Sequence, residues 1–283
     1  MLLRPCAKIN LDLRVGGLRP DGFHEIRTIL QTIDWCDELH LAQADRFEFV
    51  CRGGPEDESN LVVRAVREFE RMTARTVRAR IELLKKIPIG AGLGGGSADA
   101  AATLLGLARL YDQEIPQLDL LRSLRALGSD VPFFAVGGRA AGTGRGEEVF
   151  PLEDDAGYRL LVVCPSLAVT TREAYSWLTA PGESNSIESF CAQFICGCAD
   201  ATPRNDFERV VFNRHPALAT IRDDLLQAGA SRAALSGSGA AVFGIFEDEQ
   251  VAAAAASRFG VHGIVKLTKP LPRAEYWRKI FGS

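Results

Sequence analysis

The fold is decided by a glycine-rich loop that runs directly into a helix-forming segment. The stretch reads Pro88, Ile89, Gly90, Ala91, Gly92, Leu93, Gly94, Gly95, Gly96, Ser97, Ala98, Asp99, Ala100, Ala101, Ala102. Glycine accepts positive φ and lets a backbone approach a ligand closely. The free amides at the start of the helix, together with its dipole, form a site for an anion. The stretch therefore predicts a phosphate-binding loop, with Ser97 facing the anion and Asp99 about 200° around the helix.

Better-known phosphate loops fit this stretch less well. Gly90, Gly92 and Gly95 match GxGxxG as a string, but the His-Arg-Asp and Asp-Phe-Gly sequences of protein kinases are absent. No Lys-Ser or Lys-Thr follows the glycines, which excludes the Walker pattern. An NAD-binding loop remains an alternative, although its acid, Asp112, would come at the end of a helix rather than after a second strand. A simple capping turn is the remaining alternative, but a cap needs only one glycine.

Composition limits the class of protein. The chain has 283 residues, 47% hydrophobic and 24% charged, with a formal net charge of −3. That length allows two domains, and the charge offers no broad basic surface for nucleic acid or an anionic membrane. The first residues do not form a signal peptide, and no apolar run approaches the length of a membrane span. Seven cysteines without metal-ligand spacing predict free thiols in a cytoplasmic protein.

The pattern of apolar residues predicts an α+β protein. Strands are expected at 9–15, 38–50, 77–84, 131–136, 158–164 and 261–267, with a strand pair over 233–246. Helices are expected at 61–71, 97–110, 118–127, 172–178, 185–198, 215–228 and 247–259, the first capped by Ser59 or Asn60. A glycine-, proline- and acid-rich stretch at 142–157 contains the boundary, which gives domains 1–153 and 154–283.

Three further clusters carry polar groups that chemistry could use. Lys8 and Asn10 share one face of the first strand, although an early lysine is often only a solvated edge residue. Asp130 lies between a glycine turn and an apolar segment, where it could simply brace the turn. Ser236 and Gly237 begin a second small-residue loop, which suits either a tight hairpin or the close approach of another backbone.

Together these segments resemble the GHMP kinase superfamily. Its amino-terminal signature corresponds to residues 7–13, its phosphate loop to 88–102 and its carboxy-terminal glycine loop to 235–243. Within the superfamily the resemblance is to the kinases of the non-mevalonate isoprenoid pathway that act on a cytidine diphosphate derivative. It is carried by residues 7–11, 19–24, 128–132 and 205–208, and by the Gly-Leu-Gly-Gly-Gly-Ser form of the loop.

The resemblance implies a fold and an activity. The first domain is expected to be like domain 2 of ribosomal protein S5, the second ferredoxin-like, with the active site between them. The implied reaction moves a phosphoryl group from ATP, with Mg²⁺, to the C2 hydroxyl of 4-(cytidine 5'-diphospho)-2-C-methyl-D-erythritol. Alternatives are another small-molecule kinase of the superfamily, for mevalonate or homoserine, or a non-catalytic nucleotide-binding protein on the same fold. Oligomeric state and metal ligands stay open.

The resemblance also implies roles for individual residues. Asp130 corresponds to the catalytic aspartate and Lys8 to its lysine partner. Residues 88–98, Asn60 and Lys85 correspond to the ATP site. The implied acceptor-binding residues are Asn10, Phe23, His24, Thr171, Tyr175, Ser236 and Gly237, with His24 reading the cytosine edge. Phe23 stands where the family often has tyrosine, so a ring contact is retained but a phenolic hydrogen bond is lost.

Overall fold

The computed structural model describes residues 1–178, Phe190 and residues 204–282. The strands are β1 (Leu2–Leu3), β2 (Cys6–Leu18), β3 (His24–Cys36), β4 (Glu38–Gln43), β5 (Glu48–Arg52), β6 (Ala79–Leu84), β7 (Arg139–Thr143), β8 (Glu148–Pro151), β9 (Arg159–Pro165), β10 (Arg232–Leu235), β11 (Val242–Phe246) and β12 (Gly263–Thr268). The α-helices are α1 (Leu61–Thr73), α2 (Gly95–Leu110), α3 (Gln117–Leu127), α4 (Thr171–Ser176), α5 (Glu208–Arg214), α6 (Pro216–Gln227), α7 (Glu249–Phe259) and α8 (Arg273–Phe281). Short 3₁₀ helices span Pro132–Ala135 and Gly260–His262.

Two sheets build the first half of the chain. One has the order β1-β4-β6-β5, with β5 parallel to β6, and carries α1 and α2. The other has the order β2-β3-β7-β8 and is antiparallel throughout. Helix α2 is alanine-rich and buried along most of its length, as expected for a helix enclosed between a sheet and other helices. This packing fixes the start of α2, where the glycine loop ends.

The second half forms an antiparallel sheet with the order β10-β11-β9-β12. Helices α6 and α7 pack on it and bury leucine, isoleucine, alanine and phenylalanine side chains in a second core, which Leu13, Val15 and Ile26 of the first half also join. Segregated helices on an antiparallel sheet are the arrangement of an α+β domain. The predicted fold class is therefore confirmed. No helix among the described residues is long and apolar enough to cross a membrane.

The two halves meet along β2. Leu13 forms an isolated bridge with Asn205, and Asp206 accepts a hydrogen bond of 2.9 Å from the backbone of Val15. A mixed apolar cluster joins Ile9 and Leu93 to Phe243 of β11. These contacts hold the second half against the strand that carries Lys8.

Several predicted elements differ in the structure. The segment expected to be extended at 131–136 contains a 3₁₀ helix, which begins at Pro132 and has both Phe133 and Phe134 buried, their rings in edge-on contact at 5.2 Å. The single strand expected at 38–50 is two strands. The helix expected at 215–228 is α6 alone, and α5 precedes it. β3 and α8 were not predicted. The helix expected at 185–198 lies outside the described residues, apart from Phe190.

The cysteine prediction needs one correction. Cys6 and Cys36 face each other across β2 and β3 and form a disulfide bond. Thirty residues separate them in sequence, so only the strand register brings them together. Cys51 and Cys164 are free and buried. The remaining three cysteines lie outside the described residues.

Candidate active site

The glycine loop has the backbone conformation that an anion site needs. Gly90, Gly92 and Gly94 have φ values of 73°, 78° and 69°, and Gly94 is the N-cap of α2. The amides of the first turn of α2 have no partner within the helix, so they point into the space in front of it. That space is a cavity of about 390 Å³ lined by residues 88–97. Ala98, the last residue assigned to this loop, is instead buried in α2.

Loop–loop packing explains why position 92 is glycine. A Cβ atom there would lie 2.2 Å from the carbonyl oxygen of Ser236 and 3.0 Å from that of Gly239. Ser236 is fully buried and donates its hydroxyl to the Gly92 carbonyl at 3.0 Å. Gly237 lines the cavity. The second small-residue loop therefore clamps the first, and Ser236 contributes packing while Gly237 borders the ligand space.

The predicted catalytic pair is brought together in the lining of this cavity. Lys8 Nζ lies 3.4 Å from Asp130 Oδ2, donates to Asn10 Oδ1 at 2.6 Å and donates to the Gly92 carbonyl at 3.0 Å. Lys8 is 3% exposed, whereas the Asp130 side chain is 42% exposed. The ammonium group is thus fixed by three acceptors, while the carboxylate keeps a face open to a ligand.

Local structure orients each member of this pair. Lys8 is held by β2, where its backbone amide donates to Leu93 at 2.9 Å. Asn10 donates to the Thr28 hydroxyl on β3 at 2.8 Å, so its oxygen is turned toward Lys8. Asp130 lies between the end of α3 and the 3₁₀ helix. Phe134 of that 3₁₀ helix packs near Gly94 beside the Lys8 side chain.

Lys85 belongs to a buried ion cluster behind the loop. Its ammonium group pairs with Asp37 and, at 2.7 Å, with Asp99. Burial opposes the charge of Lys85, yet Asp99 and Asp37 together raise its pKa. Burial raises the pKa of Asp99 to about 8, and one oxygen of that carboxylate has no hydrogen-bond partner. The cluster connects β6, α2 and the end of β3, and its members Lys85 and Asp99 border the cavity.

Asn60, the other residue assigned near the ATP base, has a structural task. Its Oδ1 accepts from the backbone of Val62 at 2.9 Å, and its Nδ2 donates to Pro55 at 2.8 Å. Asn60 is therefore the N-cap of α1, one of the two caps that the sequence allowed. It also lines the cavity, beside Gly54 and Leu61.

A second cavity of about 740 Å³ adjoins the first. Phe23, His24, Thr171 and Tyr175 line it, and Asp130 and Ser97 border both cavities. The rings of His24 and Tyr175 stack at 5.4 Å, and Phe207 meets Tyr175 edge-on at 4.9 Å. Burial raises the pKa of the Tyr175 hydroxyl, so it stays protonated at neutral pH. Aromatic rings around a cavity form a surface on which a planar base can stack.

The hydrogen bond of His24 defines its tautomer. Nδ1 lies 3.0 Å from the Gly16 carbonyl, which can only accept, so Nδ1 carries the hydrogen. In the neutral ring Nε2 is then an acceptor. An acceptor beside stacking rings is suited to the exocyclic amine of cytosine.

Sequence reasoning missed the roles of three residues that border or support the site. Arg145 lies in the hairpin between β7 and β8 and borders both cavities. Its flanking glycines, Gly144 and Gly146, are a local signal that could have marked it. Asp37 belongs to the ion cluster, but it follows an ordinary strand and carried no signal. The role of Asn205 was also not predicted; it donates to the carbonyls of Leu235 and Gly237 and so holds the clamping loop.

Comparison with protein families places the chain in a known class. The model of the GHMP kinases N terminal domain matches residues 60–138, and that of the GHMP kinases C terminal domain matches residues 197–263. A solved homoserine kinase from Cytophaga hutchinsonii superposes with a TM-score of 0.71 over 96% of this chain and 95% of its own, at 18% identity. The two-domain fold is therefore that of a GHMP kinase, an enzyme that uses ATP as a substrate.

Closer relatives narrow the class. The 4-diphosphocytidyl-2-C-methyl-D-erythritol kinase of Solibacter usitatus is 47% identical over 87% of this chain and 81% of its own length. The enzyme of the same name from Chlorobium phaeobacteroides is 38% identical over 93% and 95%. A solved 4-(cytidine 5'-diphospho)-2C-methyl-D-erythritol kinase superposes with a TM-score of 0.82 over 95% and 99%, at 32% identity. The chain belongs to the 4-diphosphocytidyl-2-C-methyl-D-erythritol kinase family, which confirms the resemblance.

Proposed function

We propose that this enzyme transfers the γ-phosphoryl group of ATP to the C2 hydroxyl of 4-(cytidine 5'-diphospho)-2-C-methyl-D-erythritol. The products are the 2-phosphate of this acceptor and ADP. The reaction is an intermediate step of the non-mevalonate isoprenoid pathway. The observation that carries the proposal is the Lys8–Asp130 pair, 3.4 Å apart, because Lys8 lines the glycine-loop cavity and Asp130 borders both that cavity and the aromatic one. The first cavity has the amides for a polyphosphate, and the second has the rings and the acceptor for a cytosine.

The residues that line the two cavities can catalyse this transfer. The acceptor oxygen forms a bond to the γ-phosphorus as the bond to the ADP oxygen breaks. The exposed Asp130 carboxylate orients the hydroxyl and accepts its proton late in the transfer. Lys8 lies within reach of charge that develops on the transferring group, held by Asn10 and the Gly92 carbonyl. Positioning and electrostatics therefore supply most of the rate enhancement.

Mg²⁺ enters this scheme as part of the MgATP substrate. Among the described residues, no group of three or more His, Cys, Asp or Glu side chains is arranged to hold a metal ion. The phosphate oxygens of ATP would supply most of the ligands, as is usual for Mg²⁺. Ser97, which follows the glycines and borders both cavities, would be the protein oxygen to add to them.

The remaining assignments follow from the same geometry. We propose that residues 88–97, Asn60 and Lys85 form the ATP side of the cleft. Asn10, Phe23, His24, Thr171, Tyr175 and Gly237 would form the acceptor side, with Ser236 supporting the loop. A boundary at 153/154 is supported by the sheets, because β1 to β8 precede it and β9 to β12 follow it. Helix α8 is the exception, because its Tyr276 and Ile280 lie in the core of the first half. Both substrates are charged, water-soluble metabolites, which supports a cytoplasmic location.

A coupled assay of ADP release tests the function. The purified enzyme would receive MgATP with the cytidine diphosphate substrate, mevalonate, homoserine or galactose as the acceptor. We expect turnover with the first acceptor alone, and a ³¹P NMR signal of a phosphomonoester at C2 of the product. Comparable kcat/KM with mevalonate or homoserine, or no ADP release with any acceptor, would refute the proposal.

A further inference from the structure

The acceptor proposed above carries a diphosphate between its base and its reacting hydroxyl. A diphosphate needs a cationic or amide partner when it leaves water for a cleft. The described residues that line the two cavities include four basic side chains, Lys8, Lys85, Arg145 and Arg172. Their contacts differ, and the differences indicate which one is available to the acceptor.

Two of the four are committed to other groups. The Lys8 ammonium contacts Asp130, Asn10 and the Gly92 carbonyl. The Lys85 ammonium lies between two buried carboxylates, and its side chain is 8% exposed. Arg172 is exposed and borders only the aromatic cavity.

Arg145 differs in both position and contacts. It borders both cavities, as Asp130 does. Its guanidinium lies 4.8 Å from the centre of the Phe23 ring, and its Nε is 3.4 Å from Glu147 Oε1. The side chain is 28% exposed, so hydrogen-bond donors remain within reach of a ligand.

The hairpin holds this arginine at a defined place. The Gly144 carbonyl accepts from the Ile26 amide at 2.6 Å, and the Arg145 amide donates to Glu147 Oε2 at 2.6 Å. Gly144 and Gly146 have φ values of 71° and 102°, which allow the tight turn that directs residue 145 toward β3. The base must lie near Phe23 and His24, and the hydroxyl must reach Asp130. A guanidinium that borders both regions lies beside the linker between them.

We propose that Arg145 binds the diphosphate of the acceptor and thereby makes the enzyme select a cytidine diphosphate compound over an uncharged cytidine compound. This inference rests on the proposed function. The planar guanidinium can donate two parallel hydrogen bonds to phosphate oxygens, which a lysine cannot. Arg145 is therefore a specificity residue, and Phe23 serves as the surface along which its guanidinium lies.

Calorimetric titration with cytidine, CMP and CDP tests this assignment. AMP-PNP at saturating concentration keeps the ATP side occupied. In the wild type, CDP should bind more tightly than cytidine. Arg145→Ala should weaken CDP binding about 10- to 100-fold while changing cytidine binding less than about threefold, because only the charge-assisted bonds are lost. The Arg145→Lys variant should bind CDP more weakly than the wild type and more tightly than Arg145→Ala.

Two matched variants separate charge from stacking. Phe23→Ala should weaken the binding of cytidine as well as of CDP, since it removes a ring beside the base, whereas Arg145→Ala should spare cytidine. Arg172→Ala removes a positive charge from the same cavity and should change CDP binding less than about threefold, because exposed charges are screened. Thermal melts check that each variant is folded.

The outcomes are distinct. If Arg145→Ala weakens cytidine and CDP equally, the arginine only supports Phe23, and the inference is wrong. If CDP binding is unchanged in Arg145→Ala, the inference is also wrong, while the kinase assignment stands. If wild-type enzyme binds neither cytidine nor CDP, the proposed function itself fails.

Discussion

The replacement of Gly92 by alanine gives a sharp test of the loop–loop contact. The change places a Cβ atom 2.2 Å from the Ser236 carbonyl oxygen, on a residue whose φ is +78°. The left-handed conformation costs an alanine about 1–2 kcal/mol. Gly90→Ala is the matched control, because Gly90 has a φ of +73° but nothing within 4 Å of its Cβ position. Both variants carry the same conformational cost, so their difference isolates the clash.

The size of the stability difference between the two variants follows from the hydrogen bonds that the clash would break. Relief of the overlap requires the two backbones to separate by roughly 1 Å, since the interior is close-packed. Gly92 O would then lose the Ser236 hydroxyl and the Lys8 ammonium, now both at 3.0 Å. One neutral and one charged hydrogen bond together are worth about 2–4 kcal/mol. At 2–4 °C per kcal/mol, Gly92→Ala should melt roughly 5–15 °C below Gly90→Ala.

Thermal unfolding followed by circular dichroism measures the difference, and steady-state ADP release measures its effect on the site. The KM for ATP should rise about tenfold more in Gly92→Ala than in Gly90→Ala, because the glycine loop and Lys8 move together. If the two variants have equal melting temperatures and equal KM values, the loops do not touch as described, and the explanation of Gly92 is refuted.

Three further predictions follow from the site. Asp130→Asn should lower kcat by about 10²–10⁴-fold while the dissociation constant of AMP-PNP changes less than about threefold; an equal loss of nucleotide affinity would remove Asp130 from its role. His24→Ala should weaken cytidine about tenfold in a calorimetric titration by removing the Nε2 acceptor, and unchanged binding would place the base elsewhere. Burial raises the pKa of Asp99 to about 8 in the folded state, whereas an aspartate in an unfolded chain has a pKa of about 3.9. The free energy of unfolding of the wild type, relative to Asp99→Asn, should therefore fall as pH rises between those values, by at most about 1.4 kcal/mol per pH unit. Urea titrations at several pH values measure it, and a pH-independent difference would contradict the buried-proton account.

The sequence predicted the elements whose signals are local. The cap at Asn60, the short helix α4 and the strand β9 all emerged from periodicity and capping residues. The segment at 131–136 was misread because a short apolar run buried on several sides has no period that separates a strand from a turn of helix. β3 was overlooked because its 13 residues do not alternate between apolar and polar, since residues 28–33 are buried on both faces of the strand.

The candidate site likewise contains features that local sequence predicted and features that it could not predict. The five glycines within 90–96 predicted an anion site from the sequence alone, because exposed backbone amides and positive φ are typical of such a run. The motifs that flank the loop also identified the kinase superfamily. The motifs could not give the distances between the residues that they contain. Asp130 comes 122 positions after Lys8 in the sequence, yet its Oδ2 lies 3.4 Å from Lys8 Nζ.

Tertiary structure alone decided which glycine packs against another loop and which borders open space. In the printed sequence Gly90 and Gly92 are equivalent, yet one faces open space and the other faces the Ser236 backbone. The same packing paired Cys6 with Cys36, committed Lys85 to two carboxylates and left Arg145 open to a ligand. Local sequence fixes conformational preference because it acts through neighbouring atoms of one chain segment. Contacts between distant segments depend on the register and packing of whole sheets, which no single segment encodes.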